Sequence, residues 1–207
     1  MKKKIIITGG LGYIGTELCR LYSGVSWHHN ILVVDNRFIS ERVNQIRNWN
    51  MEFIHGDILN KDLVNKYFKN ADVVHHLAGI TSVPRTKSES SKEIDEKIKL
   101  VAEEGTQNIL NTISNECKLI FPSTHVVYEG ISEVKKDIKE NENTQPVLSY
   151  SSSKAANEKQ IKDSQKNYVI LRLGSVYGYS NDTMRIDIMP NLFSKIASQN
   201  GTLKLFA

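Results

Sequence analysis

A short apolar run at Lys4–Thr8 passes straight into Gly9-Gly10-Leu11-Gly12-Tyr13-Ile14-Gly15, and helical spacing then holds from Tyr13 to Leu21. Glycines spaced in this way between a strand and a helix fix the turn, the approach and the packing of both elements. Gly9 permits the tight turn, Gly12 lets the backbone come close to a pyrophosphate, and Gly15 lets helix and strand pack closely. The unpaired N–H groups and the positive end of the helix dipole can then hold phosphates. The bland alternative is a glycine-rich turn without a ligand, and the flanking strand and helix argue against it.

An acidic partner stands where such a site needs one. Asp35 ends a second apolar run about 20 residues past Gly15, placed to accept from a ribose 2′-OH and to repel a 2′-phosphate. NAD is therefore favoured over NADP, with Arg37 as the counter-argument, since a guanidinium there could accommodate the phosphate. Asp57, in His55-Gly56-Asp57-Ile58, either bonds an adenine amino group or serves as a turn or helix-capping residue.

The rest of the chain alternates in the same style. Val- and Ile-rich runs recur at Ile31–Asp35, Glu52–His55, Asp72–Leu77, Lys118–Pro122 and Tyr168–Arg172, as strands buried on both faces should. Stretches with helical spacing lie between them at Lys61–Phe68, Ile94–Ile113 and Tyr150–Ile161. Crossovers of this length join parallel strands, so the expected fold is α/β, a doubly wound parallel sheet of the Rossmann type. Glu129–Gln145 reads as a polar surface excursion, and a short helix is expected near Pro190. The strand-like tail Leu203–Ala207 has no downstream partner, which suggests a truncated chain or a tail that pairs with another molecule.

Composition closes off several function classes. With 207 residues, 40% hydrophobic and 24% charged, the chain is too apolar for disorder and large enough for one well-buried domain. No run approaches a membrane span, and Thr8-Gly9-Gly10 cuts off any apolar segment behind the basic start, so a cytoplasmic location is expected. The net charge of +4 comes from interleaved Lys and Asp/Glu rather than a basic block, which argues against nucleic-acid binding. Cys19 and Cys117 make neither a disulfide framework nor a metal site. His75 and His76, adjacent on a strand, face opposite ways and cannot easily share an ion, so no metal is expected.

The chemistry is concentrated in Tyr150-Ser151-Ser152-Ser153-Lys154. On a helix Tyr150 and Lys154 share a face one turn apart, and an ammonium beside a phenol lowers its pKa. Such a tyrosine can act as general base or acid. Ser123 and Thr124 end the preceding strand, where strand ends line the crevice of an open sheet, so either hydroxyl can reach a substrate oxygen. They can equally satisfy local backbone groups.

With these residues in view, the chain resembles the extended short-chain dehydrogenase/reductases, specifically the NAD-dependent epimerase/dehydratase branch. The resemblance rests on the glycine motif, Asp35, Asp57-Ile58, His76-Leu77-Ala78-Gly79, Ser123-Thr124 with Val127-Tyr128, Tyr150 to Lys154, and Leu171-Arg172 with Val176-Tyr177-Gly178. It implies Tyr150 as catalytic base, Lys154 as the group that lowers its pKa and holds the nicotinamide ribose, and Thr124 as the residue orienting the substrate hydroxyl. It also implies a cofactor site made by Gly9, Gly12, Tyr13, Ile14, Gly15, Asp35, Asn36, Asp57, Ile58, Leu77, Ala78 and Gly79, with Tyr150 and Lys154.

The implied activity is that of an NAD-dependent nucleotide-sugar epimerase or related oxidoreductase. A non-catalytic NAD-binding module lacking a complete substrate site, and an NAD(P)H-dependent ketone reductase, are the alternatives. Residues 1–178 would form the NAD-binding domain and 179–207 the start of an incomplete substrate lobe. A homodimer through the helices at Ile94–Ile113 and Tyr150–Ile161 is implied as well. His125-Val126 stand where the family's 4,6-dehydratases carry an acidic pair, which disfavours elimination of water. Ala102, Ser175 and Tyr179 also depart from the usual pattern, Ala102 where an Asn would support a proton relay.

Overall fold

Six short strands, all parallel, form one sheet in the order β3-β2-β1-β4-β5-β6. The structure, a computed structural model, describes residues 2–81, 89–180 and 183–204. The strands are β1 (Lys4–Thr8), β2 (Asn30–Asp35), β3 (Glu52–His55), β4 (Val73–His76), β5 (Lys118–Thr124) and β6 (Asn167–Leu173). Each matches a run expected from the sequence to within a residue or two.

Period-two alternation sends successive β1 residues to opposite faces. Ile6 joins Leu32, Val34, Val74, Leu119 and Phe121 in one core cluster. Ile5 and Ile7 join Ile31, Val33 and Phe53 in the other. Two buried faces need two layers of helices, and the chain supplies them. Helices α1 (Tyr13–Ser23) and α2 (Ser40–Asn48) cover the second face with Cys19, Val43 and Ile46. Helices α3 (Lys61–Phe68), α4 (Lys92–Thr112) and α5 (Ser149–Asp163) cover the first with Val64, Phe68, Ile109, Leu110 and Ile161. Each such buried aliphatic or aromatic side chain contributes about 1.5–3 kcal/mol relative to exposure.

Helix α2 has no counterpart among the helices expected from the sequence. Its nine residues bury only Val43 and Ile46, so the apolar stripe is too thin to show a period. Helix α6 (Met189–Ser198) begins with Pro190 in its first turn, as expected. The polar excursion after β5 is pinned at its base, where Gly130 N–H donates to the Gln145 carbonyl and Gln145 N–H to that of Val127. The expected tail strand does not form over the described residues Leu203 and Lys204, and residues 205–207 lie outside them. Both cysteine thiols are buried and pushed up, Cys19 to about 12 and Cys117 to about 11, by loss of solvent.

Strand order reverses between β1 and β4. Open α/β sheets leave a crevice there, at the carboxyl ends of the strands.

Candidate active site

The β1–α1 turn forms one wall of that crevice. Gly9 holds φ +67°, and a Cβ there would lie 2.8 Å from the Ala78 nitrogen. At Gly15 a Cβ would lie 2.3 Å from the Gly9 carbonyl oxygen, whereas at Gly12 it would sit 3.2 Å from the same oxygen and 3.7 Å from Arg37 Nη2. Gly9 and Gly15 are therefore required by packing, while Gly12 keeps the mouth of the turn free. No side chain caps α1 and no carboxylate lies in its first turn. The N–H groups and dipole of that helix end are thus left for an anion, and the cradle fits a dinucleotide pyrophosphate.

Asp35 buttresses the same turn. Its side chain is buried and accepts from Leu11 N–H at 2.9 Å, from Arg37 N–H at 2.9 Å and from Arg37 Nε at 3.2 Å. The guanidinium that argued for a 2′-phosphate is thereby tied to the carboxylate that argues against one. Asn36 donates to Asp57 Oδ2 at 2.9 Å, and Asp57 Oδ1 accepts from Leu59 N–H at 2.9 Å, so Asp57 serves its turn. Asn60, not Asp57, caps α3. The Ile58 side chain belongs to the core, where a Cβ on Gly105 would meet it at 2.4 Å, and its carbonyl accepts from Asn108 Nδ2 at 3.0 Å.

Leu77, Ala78 and Gly79 leave β4 on the other side of the crevice. Ala78 N–H donates to Thr8 Oγ1 at 3.0 Å, which locks this segment against the glycine turn. The histidines before it are structural. His76 spans Thr8 Oγ1 at 3.1 Å and Thr106 Oγ1 at 2.9 Å, and His75 Nε2 lies 2.8 Å from the Tyr22 hydroxyl on the opposite face. Burial lowers His75 to about 4; burial, helped by Lys154, lowers His76 to about 3. Among the described residues no group of three or more His, Cys, Asp or Glu side chains could hold a metal ion.

Helix α5 brings Tyr150 and Lys154 to the β5 end of the crevice. Its entry is fixed by Glu129, which accepts from Val147 N–H at 2.8 Å, Leu148 N–H at 2.7 Å and the Ser151 hydroxyl. Lys154 Nζ donates to the Pro122 carbonyl at 2.7 Å, lies 4.3 Å from the centre of the Phe121 ring and 6.0 Å from that of Tyr150. Burial lowers the ammonium to about 8, against the opposing pull of Glu158. The phenol corrects the sequence reading. Burial holds Tyr150 above its ordinary value, and the cation opposing this is Arg185. The Lys154 ammonium is spent on the Pro122 carbonyl and the Phe121 ring, so desolvation prevails.

The two β5 hydroxyls also part company. Ser123 is turned to Glu158, donating its hydroxyl proton to Oε1 at 2.6 Å. Thr124 Oγ1 accepts from Val126 N–H at 3.3 Å and opens a 3-10 turn over His125–Tyr128. His125 Nδ1 lies 3.2 Å from the Leu173 carbonyl.

Asn191, Arg185 and Glu158, which sequence reasoning passed over, join Arg172 around the site. Asn191 of α6 is buried, accepts from Gly178 N–H at 2.9 Å, and donates to the Arg185 carbonyl at 2.8 Å and the Tyr13 hydroxyl at 3.4 Å. Tyr13 in turn donates to the Gly178 carbonyl. The segment after β6 is thus latched to the first turn of α1, carrying Arg185 towards Tyr150. Arg172 and the buried Glu158 form an ion pair, with Nη2 at 2.6 Å from Oε2. The β5–β6 register, Ser123 opposite Arg172, and the spacing of Glu158 one turn past Lys154 were the signals that could have found it.

Strand order, glycine cradle and acidic β2 end together define a doubly wound α/β domain of the dinucleotide-fold class. Residues 5–206 match the model of the NAD dependent epimerase/dehydratase family, and the chain belongs to that family. It is 30% identical over 205 residues to CDP-paratose 2-epimerase of Salmonella typhi, covering 84% of this chain and 58% of that protein. It is also 30% identical over 197 residues to dTDP-D-glucose 4,6-dehydratase of Dictyostelium discoideum, covering 85% and 44%. UDP-glucuronic acid 4-epimerase from Bacillus cereus, solved with UDP-glucuronic acid and NAD, superposes with a TM-score of 0.77 at 27% identity, over 99% of this chain and 66% of that one. The chain therefore spans roughly half the length of these curated relatives. Among the described residues no helix is long and apolar enough to cross a membrane.

Proposed function

We propose that the chain binds NAD in the β1/β4 crevice and that the protein acts as an NAD-dependent epimerase, or closely related oxidoreductase, on a nucleotide sugar. The observation that carries this is the placing of Tyr150 and Lys154 on one face of α5, at the carboxyl end of β5, in a sheet whose β1 end carries the glycine cradle. Bound NAD would supply a reversible hydride acceptor. Gly9 to Gly15 would hold its pyrophosphate, Asp35 the adenosine ribose, and Leu77 to Gly79 the opposite wall.

Tyr150 takes the proton of a sugar hydroxyl as the carbon beneath it is oxidised, and returns it on reduction of the other face. Burial makes its phenol a weaker acid, so Tyr150 serves as base only once that phenol has lost its proton to solvent, a loss that positive charge beside it favours. Arg185 is the cation acting on it. Thr124 orients the hydroxyl. Elimination of water is disfavoured, because His125 is tied to the Leu173 carbonyl and Val126 carries no acid or base.

NAD is favoured over NADP because the Arg37 guanidinium is engaged by Asp35. Residues 1–178 form the nucleotide-binding domain and 179–207 belong to the substrate lobe, which Asn191 ties back to the first turn of α1 through Tyr13 and Gly178. The protein pairs with a second copy through α4 and α5, since Ile94 and Leu100 stay exposed on α4; light scattering showing a monomer at micromolar concentration would remove this.

Calorimetry with NAD and with UDP-, GDP- and dTDP-sugars tests the reading. Binding of NAD and of one sugar nucleotide supports it, and NAD binding alone points to a cofactor-binding module. Tyr150→Phe is expected to lower turnover by about 10²–10⁴-fold with little change in NAD affinity. Surviving turnover would show that the base lies elsewhere.

A further inference from the structure

The buried charges behind Lys154 are arranged more specifically than stability requires. Glu158 sits one turn beyond Lys154 on α5, and only 3% of it is exposed. Its Oε1 accepts from Ser123 Oγ at 2.6 Å and Arg172 Nε at 2.9 Å; its Oε2 accepts from Arg172 Nη2 at 2.6 Å and Lys162 Nζ at 3.4 Å. Arg172 is itself held on its other side by the Tyr128 hydroxyl and, at 3.0 Å, by the Glu140 carbonyl. Two consecutive β5 residues thus receive the two α5 side chains, the Pro122 carbonyl taking Lys154 and the Ser123 hydroxyl taking Glu158.

Resting on the reading of Tyr150 and Lys154 as the reactive pair, we propose that Glu158 is a positioning residue that, clamped by Arg172 and Ser123, holds an anion one helical turn from Lys154 and so keeps that ammonium charged beneath the crevice. The surroundings of Lys154 show why one is needed. The Phe121 ring and Pro122 carbonyl face it from β5, neutral His76 from β4, Tyr150 from its own helix, and Arg172 stands behind Glu158 on β6. Arg185, from the segment after β6, adds positive charge near Tyr150. Burial has already brought Lys154 down to about 8, and among the described residues Glu158 is the carboxylate that works against this.

Lys162 and Arg172 bond the buried carboxylate, and Lys154, one turn away on α5, feels its charge without touching it. A charge role and a packing role predict different signs. Glu158→Gln removes the anion and leaves Arg172 without its counterion, so Lys154 should titrate lower, by about one pH unit. Lys162→Met removes a competing cation from a half-exposed position and should move Lys154 upward. Arg172→Met should move it further in the same direction where that variant folds.

The readout is side-chain NMR of the Lys154 ε-methylene in the full chain, assigned with Lys154→Arg, with circular dichroism confirming that each variant is folded. If Glu158→Gln does not fold, Lys162→Met and Ser123→Ala carry the test, the latter loosening Glu158 and lowering Lys154. Shifts of opposite sign for Glu158→Gln (or Ser123→Ala) and Lys162→Met support the proposal. Shifts of one sign, or none, overturn it. This titration needs neither cofactor nor substrate, so failure of the parent chain to bind NAD would end the functional reading and leave this result standing by itself.

Discussion

Asp35 is the residue on which the proposed preference for NAD rests, and its carboxylate is engaged on both oxygens. Its Oδ2 receives Leu11 N–H, and its Oδ1 holds Arg37. Asp35→Asn keeps the shape but drops the charge that repels a 2′-phosphate and frees the guanidinium beside it. Fluorescence titration is expected to show the preference for NAD over NADP narrowing by about tenfold, the scale of one charge-assisted contact. An unchanged ratio would mean that Asp35 only braces the turn. At this scale the sequence was readable where a residue's placement is set by near neighbours, as with Gly9 in its turn, Asp35 at the end of β2, and Tyr150 and Lys154 on one helix. It was unreadable where the partner is distant in the chain. That Ser123 would turn to Glu158 depended on which residue of β6 lies opposite it, and the balance of charge at Tyr150 depended on Arg185, brought in by Asn191. Spacing on one helix could not reveal that burial would outweigh a nearby ammonium.

Among the elements, the β1–α1 unit makes the sharpest separation between folding and binding. A methyl at Gly15 would meet backbone atoms of Gly9 and Gly10 at 2.3 and 2.7 Å, so helix and turn would have to move apart. Gly15→Ala is expected to cost about 1–3 kcal/mol, read as a lower denaturant midpoint at unchanged slope. A methyl at Gly12 meets its nearest atom at 3.2 Å and projects into the cradle. Gly12→Ala should therefore leave the midpoint within about 1 kcal/mol of the parent while weakening NAD at least about tenfold by calorimetry. Equal effects of the two variants on stability would undo the distinction. The strands and long helices were legible because burial on both faces leaves Val- and Ile-rich runs. Helix α2 was not, because the edge of the sheet asks it for only Val43 and Ile46, and its other side chains answer to solvent.

The whole molecule should respond to acid through β4. His75 and His76 titrate near 4 and 3 in the fold, below the ordinary value of 6.5. Between those values the unfolded chain binds more protons than the native one, so stability is full above about pH 6.5 and falls as pH drops. Each histidine contributes about 1.4 kcal/mol per pH unit across that window. His76→Gln, which cannot ionise, should be less stable at pH 7 yet show a shallower decline from pH 6 to pH 4 by about that slope. Parallel declines in parent and variant would assign the acid sensitivity elsewhere.

Bound dinucleotide acts at the same scale and in the opposite direction. In the proposed site the ligand would bridge the β1 turn, the β2 end and the segment after β4, so it would bind only when those strands are in register and would stabilise the fold as a unit. At a hundredfold excess over its Kd, NAD is expected to add about 2.7 kcal/mol. For a domain of this size that raises Tm by about 5–10 °C in a thermal melt. At the same NAD concentration the shift should fall by about half or more in Gly12→Ala and persist in Tyr150→Phe, as expected if the glycine turn holds the cofactor and the phenol acts on what is bound beside it. A parent chain whose Tm ignores NAD would refute the assignment of the crevice.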